Sequence, residues 1–274
     1  MSHPMLRLYD GFENTSPQLR EEVSELQETL ATHGYTVQDS GLFDGETERS
    51  VKRFQTDHGL DDDGVVGPLT WAALLDTESP DLLGVIPTTY AGDDPSLLKQ
   101  QLQTQQYQQI IVSAGRKYGI PVYIIAGIGS RESAWGLALK PLGPRGTGDF
   151  QKRNNRTPFR TGSLPPDGGG FGRGLMQIDY DAHAFARSEL WRDPKENILY
   201  GCRVLSDSRD FIQQRTSLEG RTLLRAALAG YNAGPQNAVK ALSAGYDIDF
   251  YTAGRDYSAD VLDRAGWFQV HGWT

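Results

Sequence analysis

In "GIGSRESAWG", residues 127–136, a single glutamate, Glu132, comes at the end of "IPVYIIAGIG", a run with no polar side. Such a run reads as a helix enclosed by protein rather than one lying on a surface. Ile120-Pro121 supplies its start signal and Gly136 its stop. Glu132 then falls in the last turn, among desolvating neighbours and near the negative end of the helix dipole, and both effects favour the protonated carboxyl. A carboxylic acid that keeps its proton near neutral pH is what general acid catalysis needs. The local sequence leaves a second reading open, a solvated helix-end charge paired with Arg131.

The elements that would position Glu132 have to come from a chain of 274 residues, long enough for two domains and a sizeable core. A net charge of -8 argues against a general nucleic-acid binder and against direct attraction to an anionic membrane. The lone Cys202 lies in an apolar-periodic stretch and reads as a core residue, and no ligand cluster calls for a metal or other cofactor. The N-terminus lacks the pattern of a signal peptide, and no apolar run reaches the roughly 20 residues of a membrane span. The expectation is a protein made in a reducing cytoplasm.

Residues 1–77 carry an internal repeat at an offset of 23, "GLFDGETERSV" and "GVVGPLTWAAL", each with a turn marked by Asp44 or Gly67-Pro68 before a helix. An earlier helix starts at Ser16 as N-cap with Pro17 in its first turn. Apolar faces at Val23/Leu26/Leu30, Val51/Phe54 and Trp71/Leu74/Leu75 predict a small three-helix bundle. With "VSELQETLATHGY" ahead of the repeats, the segment from Val23 to Leu75 resembles the peptidoglycan-binding domain of cell-wall hydrolases, which implies a wall-binding module.

Residues 78–95 mix Pro, Gly and Asp and read as a linker. The second domain, 96–274, opens on one long helix with Leu98, Leu102, Ile110 and Ile111 apolar and its Gln run solvated. Further helices are expected in "DAHAFARSELW", in the segment begun by Asp193-Pro194, and in "EGRTLLRAALAGYN", "PQNAVKALSAG" and "RDYSADVLDRAGWFQ". Between Lys140 and Arg173 lies an irregular stretch with seven Lys or Arg against two Asp. It is read either as a contact for the carboxylates of wall stem peptides or as a solvated loop.

Four segments, "SRESAWG", "GFGRGLMQID", "AGYNAGP" and "RDYSADVL", resemble in order and sequence the catalytic domain of goose-type lysozymes, within the soluble lytic transglycosylase group. The resemblance covers roughly Ser96 to Trp273. It implies a mostly α fold, the wall-binding bundle followed by an α+β lysozyme-like domain with a small β element, and it makes Glu132 the catalytic acid. Glycosidic cleavage by water also wants a second carboxylate. The resemblance gives that place to Asp179, with Asp167 near the family's other water-positioning aspartate and Asp149 in reserve. An Asp in a Gly-rich loop is otherwise a turn former. Gln177, Tyr231, Asn232, His183 and Tyr257 match substrate-contacting positions.

The expected protein is therefore a monomeric muralytic enzyme whose partner is bacterial peptidoglycan. It cuts the β-1,4 bond between N-acetylmuramic acid and N-acetylglucosamine with inversion, a course that keeps the two carboxyls roughly 6.5–9.5 Å apart. Wall binder, lytic domain and missing signal peptide together resemble a bacteriophage endolysin, held in the host cytoplasm until membrane holes release it to the wall. Two alternatives stand beside it, a lytic transglycosylase forming 1,6-anhydromuramic acid, and a non-catalytic wall-binding or virion structural protein.

Overall fold

The fold is that of a computed structural model describing residues 3–58, 60, 62–75, 84–153 and 163–273. The chain divides into two compact units, Met1–Leu82 with Gly115–Ile120, and Leu83–Ala114 with Pro121–Thr274. In the first unit a 3-10 turn, Pro17–Leu19, leads into α1 (Arg20–Thr32), followed by α2 (Gly45–Asp57) and α3 (Pro68–Leu74). The expected faces, Val23/Leu26/Leu30, Val51/Phe54 and Trp71/Leu74, close with Leu6, Phe43 and Val66 into one core. Leu75 follows the end of α3 and is 37% exposed, outside that core. Pro17 opens the first turn as expected, but the Ser16 hydroxyl donates to Asp10 instead of capping. Asp44 does cap α2, accepting from the amides of Glu46 and Thr47.

The internal repeat has a physical basis. Gln27, buried in α1, accepts from the amide of Gly41 and donates to the carbonyl of Leu42 and the hydroxyl of Thr47. Gln55, buried in α2, accepts from the amide of Gly64 and donates to the carbonyl of Val65 and the hydroxyl of Thr70. The partners are equivalent positions of the two repeats. Each side-chain amide ties one turn to the helix before it, and a buried polar group with its partners in place avoids the penalty of desolvation.

The second unit contains α4 (Pro95–Gln105), the part of α5 (Gln108–Tyr118) before Gly115, α6 (Val122–Ser133), α7 (Pro194–Gln213), α8 (Gly220–Ala233), α9 (Pro235–Ser243) and α10 (Tyr257–Val270). A small antiparallel sheet joins β1 (Thr147–Gly148), β2 (Gly172–Arg173) and β3 (Ile178–Asp179) in that order. α6 is enclosed, as its apolar surface requires. It lies so close to α10 that a Cβ on Gly127 would come within 2.7 Å of the Val261 carbonyl oxygen. Past Ser133 the chain turns through left-handed Ala134 and Trp135. The Trp135 ring thereby folds back over Gly129, and its Nε1 donates to the Ala126 carbonyl at 3.0 Å. The helix thus ends before Gly136, with Glu132 in its last turn.

Several expected elements differ. The long helix from Ser96 is two helices, α4 and α5, broken where the buried Tyr107 stacks on Trp135 at 5.8 Å, with no Gly or Pro to announce the break. α4 turns Leu97, Gln100 and Thr104 inward and leaves Leu98 and Leu102 exposed. The Gln run is therefore not wholly solvated, since Gln100 accepts from the buried Ser130 hydroxyl. "DAHAFARSELW" forms two 3-10 turns, Phe185–Arg187 and Leu190–Arg192, instead of one helix.

Part of the expected linker is bound to α10: the Ile86 amide donates to Gln269, Thr88 and Thr89 donate to Asp263, and Tyr90 donates to Asp260. The start of that linker, 78–83, and the middle of the basic stretch, 154–162, lie outside the described residues. Among the described residues no helix is long and apolar enough to cross a membrane.

Candidate active site

The end of α6, the small sheet and the end of α8 border a cleft of about 370 Å³. Glu132 reaches it from α6, Asp149 and Arg153 from the segment after β1, Gln177 and Asp179 from β3 and its approach, and Tyr231 and Asn232 from α8.

Glu132 keeps one side open to the cleft while protein surrounds the rest. Burial pushes its pKa up to about 7, against the opposing effects of a hydrogen bond donated by the Tyr257 hydroxyl and of the Arg131 charge. Arg131 itself is bonded elsewhere, to Asp256 at 2.9 Å and Asp260 at 2.8 Å. The reading of Glu132 as one half of a solvated ion pair therefore fails.

Tyr257 is placed differently from a substrate contact. It is 2% exposed and stands behind Glu132, fixing the orientation of the carboxyl. The Tyr231 ring lies nearly parallel to it at 6.3 Å and lines the cleft, its hydroxyl donating to the Met176 carbonyl at 2.7 Å. Asn232, also in the cleft wall, is exposed and accepts from the Ala253 amide at 2.9 Å.

Asp179 is the electrostatic opposite of Glu132. Burial disfavours its charge, but Arg153 and the backbone amides of Asp181 and Ala182 outweigh burial and hold its carboxyl below the ordinary range. Arg153 donates to Asp179 at 2.5 Å and to Asp149 at 2.7 Å, lies 3.5 Å from Asp181, and rests on the Phe171 ring at 4.0 Å. It is the functional residue missed by sequence reading, which saw in it only one charge of a basic stretch.

Gln177 and His183 complete the wall. Gln177 has left-handed backbone (φ 47°), and its side chain donates to the Gly174 carbonyl. A Cβ on Gly148 or Gly172 would lie only 2.2 or 2.1 Å from its Oε1, so a larger residue at either position would push the Gln177 side chain aside. His183 lies 3.2 Å from the Tyr200 hydroxyl, and burial lowers its pKa despite the charge of Asp179. The sites of Glu132, Asp179, Gln177, His183, Tyr231 and Asn232 are thus brought together. Asp167 is not among them. It lines a separate recess, where it pairs with Arg173 at 2.9 Å and accepts from the Gly169 amide in the turn-forming manner of an Asp in a Gly-rich loop. The carboxylate beside Asp179 is Asp149, the reserve candidate.

An acid that holds its proton to about pH 7 and a carboxylate kept ionised in the same groove suit glycosidic bond cleavage. The class is that of the glycoside hydrolases. The profile of the lysozyme g family matches residues 160–272, and that of the peptidoglycan binding domain family matches residues 20–74. Lysozyme g of Epinephelus coioides is 30% identical over 170 residues, which span 61% of this chain and 76% of that protein. Lysozyme g of Gallus gallus is 32% identical over 170 residues, 61% and 66% of the two chains. Lysozyme g of Struthio camelus is 29% identical over 180 residues, 65% and 73%. The crystal structure of Burkholderia AP3 phage endolysin covers 98% of this chain and 100% of its own at 17% identity, with a TM-score of 0.27, too loose a likeness to bear weight. The chain belongs to the lysozyme g family, and it is a peptidoglycan hydrolase joined to a peptidoglycan-binding module.

Proposed function

We propose that the protein cuts the β-1,4 bond between N-acetylmuramic acid and N-acetylglucosamine by an inverting acid/base route. The observation that carries this reading is the contrast between Glu132, raised to about 7, and Asp179, held low by Arg153 in the same cleft. Glu132 gives its proton to the leaving oxygen. Asp179, with Asp149 beside it, holds a water against the anomeric carbon and accepts a proton as that water attacks from the opposite side. Tyr257 keeps the acid's carboxyl aimed at the cleft. Gln177, Tyr231, Asn232 and His183 line the path of the saccharide and offer amide, ring and imidazole contacts to its N-acetyl and hydroxyl groups. The pairing of a wall-binding module with a lytic one fits a phage endolysin, a monomer that waits in the host cytoplasm and then acts on the wall.

The test is cleavage of purified wall in ¹⁸O-labelled water, read by mass spectrometry and by NMR of the first anomer formed. Reducing-end N-acetylmuramic acid should carry the label and appear first as the α anomer. Unlabelled 1,6-anhydro sugar as the main product would refute hydrolysis in favour of transglycosylation, and an initial β anomer would refute inversion.

A further inference from the structure

The recess that takes Asp167 from the cleft has a volume of about 450 Å³. Four cations, Lys140, Arg145, Arg173 and Arg192, line it against one carboxylate, Asp167, in a chain whose net charge is -8. Among the described residues neither Lys140 nor Arg145 is paired with a carboxylate, and both are exposed. Arg192 pairs with the exposed Glu189 next to it, a surface contact worth at most about 1 kcal/mol and easily exchanged.

Arg173 is the unusual member. It is 1% exposed, lies 4.6 Å from the Tyr180 ring centre and 5.4 Å from that of Trp191, and its Nε finds no acceptor among the described residues. Asp167 matches the charge of Arg173 but leaves the other cations of the recess without a carboxylate there, and a further anion would complement them.

The walls narrow the kind of anion. Pro141, Phe150 and Trp191 add apolar surface to the cations. A guanidinium fork matches a planar carboxylate, and apolar walls suit the aliphatic parts of amino acids, whereas a polyol phosphate has nothing to offer them. The position fits as well. On β2, Gly172 faces the cleft and its neighbour Arg173 the recess, as alternation along a strand requires. The cleft and the recess are thus opposite sides of a sheet whose strands, two residues each, are about 7 Å long at ~3.3 Å per residue. A peptide attached to a sugar in the cleft would reach the recess by passing that rim.

We infer that the recess is a binding site for the carboxylates of the peptide stems carried by wall glycan, an inference that rests on peptidoglycan being the substrate. It relocates the basic stretch's contact to Lys140, Arg145, Arg173 and Arg192. Arg153 serves the cleft instead, and Arg156 and Arg160 lie outside the described residues. The double variant Lys140→Ala with Arg145→Ala removes two exposed cations and leaves the cleft untouched.

Full-length wild type and double variant are compared on glycan bearing its peptides and on the same glycan stripped of them by an amidase. The two proteins are also titrated by NMR with N-acetylmuramoyl tripeptide, its carboxyl-amidated form and a glycerol phosphate oligomer. The expected result is a KM about tenfold higher for the variant on peptide-bearing glycan, with kcat unchanged and stripped glycan cut equally well by both. The free tripeptide should shift the Trp191 indole and the amides around Arg173 in the wild type, and the amidated form should not. An unchanged KM in the variant, equal binding of the amidated peptide, or tighter binding of the phosphate oligomer would each overturn the assignment. If wild type cut neither glycan, the hydrolase reading would fall, while the titration would still decide the recess because it needs no cleavage.

Discussion

Glu132→Gln should abolish cleavage and, at the same time, stabilise the second unit above neutral pH. The unfolded side chain ionises near 4.5 and the folded one near 7. Below pH 4.5 both states hold the proton and folding bears no penalty. Between 4.5 and 7 the unfolded chain releases its proton while the folded chain keeps it, so stability falls through this window and the loss is complete above 7. At about 1.4 kcal/mol per pH unit, the whole interval is on the order of 3 kcal/mol. Glutamine has the same shape, still accepts the Tyr257 hydrogen bond, and has no charge to bury. Urea unfolding of wild type and variant, followed by tryptophan fluorescence at pH 4 and pH 8, reads the difference: near equality at pH 4, and a gain for the variant approaching that figure at pH 8. Equal stability at both pH values would show that burial does not raise the Glu132 carboxyl, and the assignment of the acid would lose its physical ground.

Replacing Arg153 by Gln removes the positive charge that Asp179 and Asp149 share, so the Asp179 carboxyl rises. The acidic limb of a kcat/KM–pH profile should move to higher pH, with activity at pH 6 down by about tenfold or more. Gly172→Ala would drive a Cβ to 2.1 Å from Gln177 Oε1 and displace that side chain from the cleft. Activity on soluble glycan should drop by roughly tenfold or more while wall pull-down is unchanged. Gln27→Ala strands the buried Gly41 amide and should destabilise the first unit by about 1–3 kcal/mol. Calorimetry reads the loss, and wall clearing should suffer more than cleavage of short soluble glycan.

The features legible in the sequence were those written in local pattern. The all-apolar run before Glu132 shows that the helix is enclosed and hence that the carboxyl is buried, and the spacing of Val23, Leu26 and Leu30 identifies a bundle face. What escaped was decided by partners distant in sequence. Leu98 and Leu102 look like a core face until Ser130 draws Gln100 inward, and Tyr107 ends α4 because Trp135 is waiting for it. Asp167 and Asp149 both stand in Gly-rich loops. Nothing local separates them, because the choice is made by which arginine each one meets, Arg173 in the recess or Arg153 in the cleft. Tyr257 matched the site by motif, yet it is buried and bonded to Glu132 instead of lining the cleft, a placement that no local pattern announces.

The two buried glutamines of the wall-binding unit have a consequence for how such a module can be assembled. α2 receives the side chain of Gln27 at its first turn, through Thr47, and sends its own Gln55 into the next turn, where Thr70 receives it. One helix is therefore both socket and peg. Neither repeat is self-sufficient, since the first lacks its fastening without α1 and the second without α2, so the fold is handed down the chain in order. Copying one turn-and-helix segment would add a socket and a peg in a single event, so the module can lengthen by duplication with its polar interior already matched.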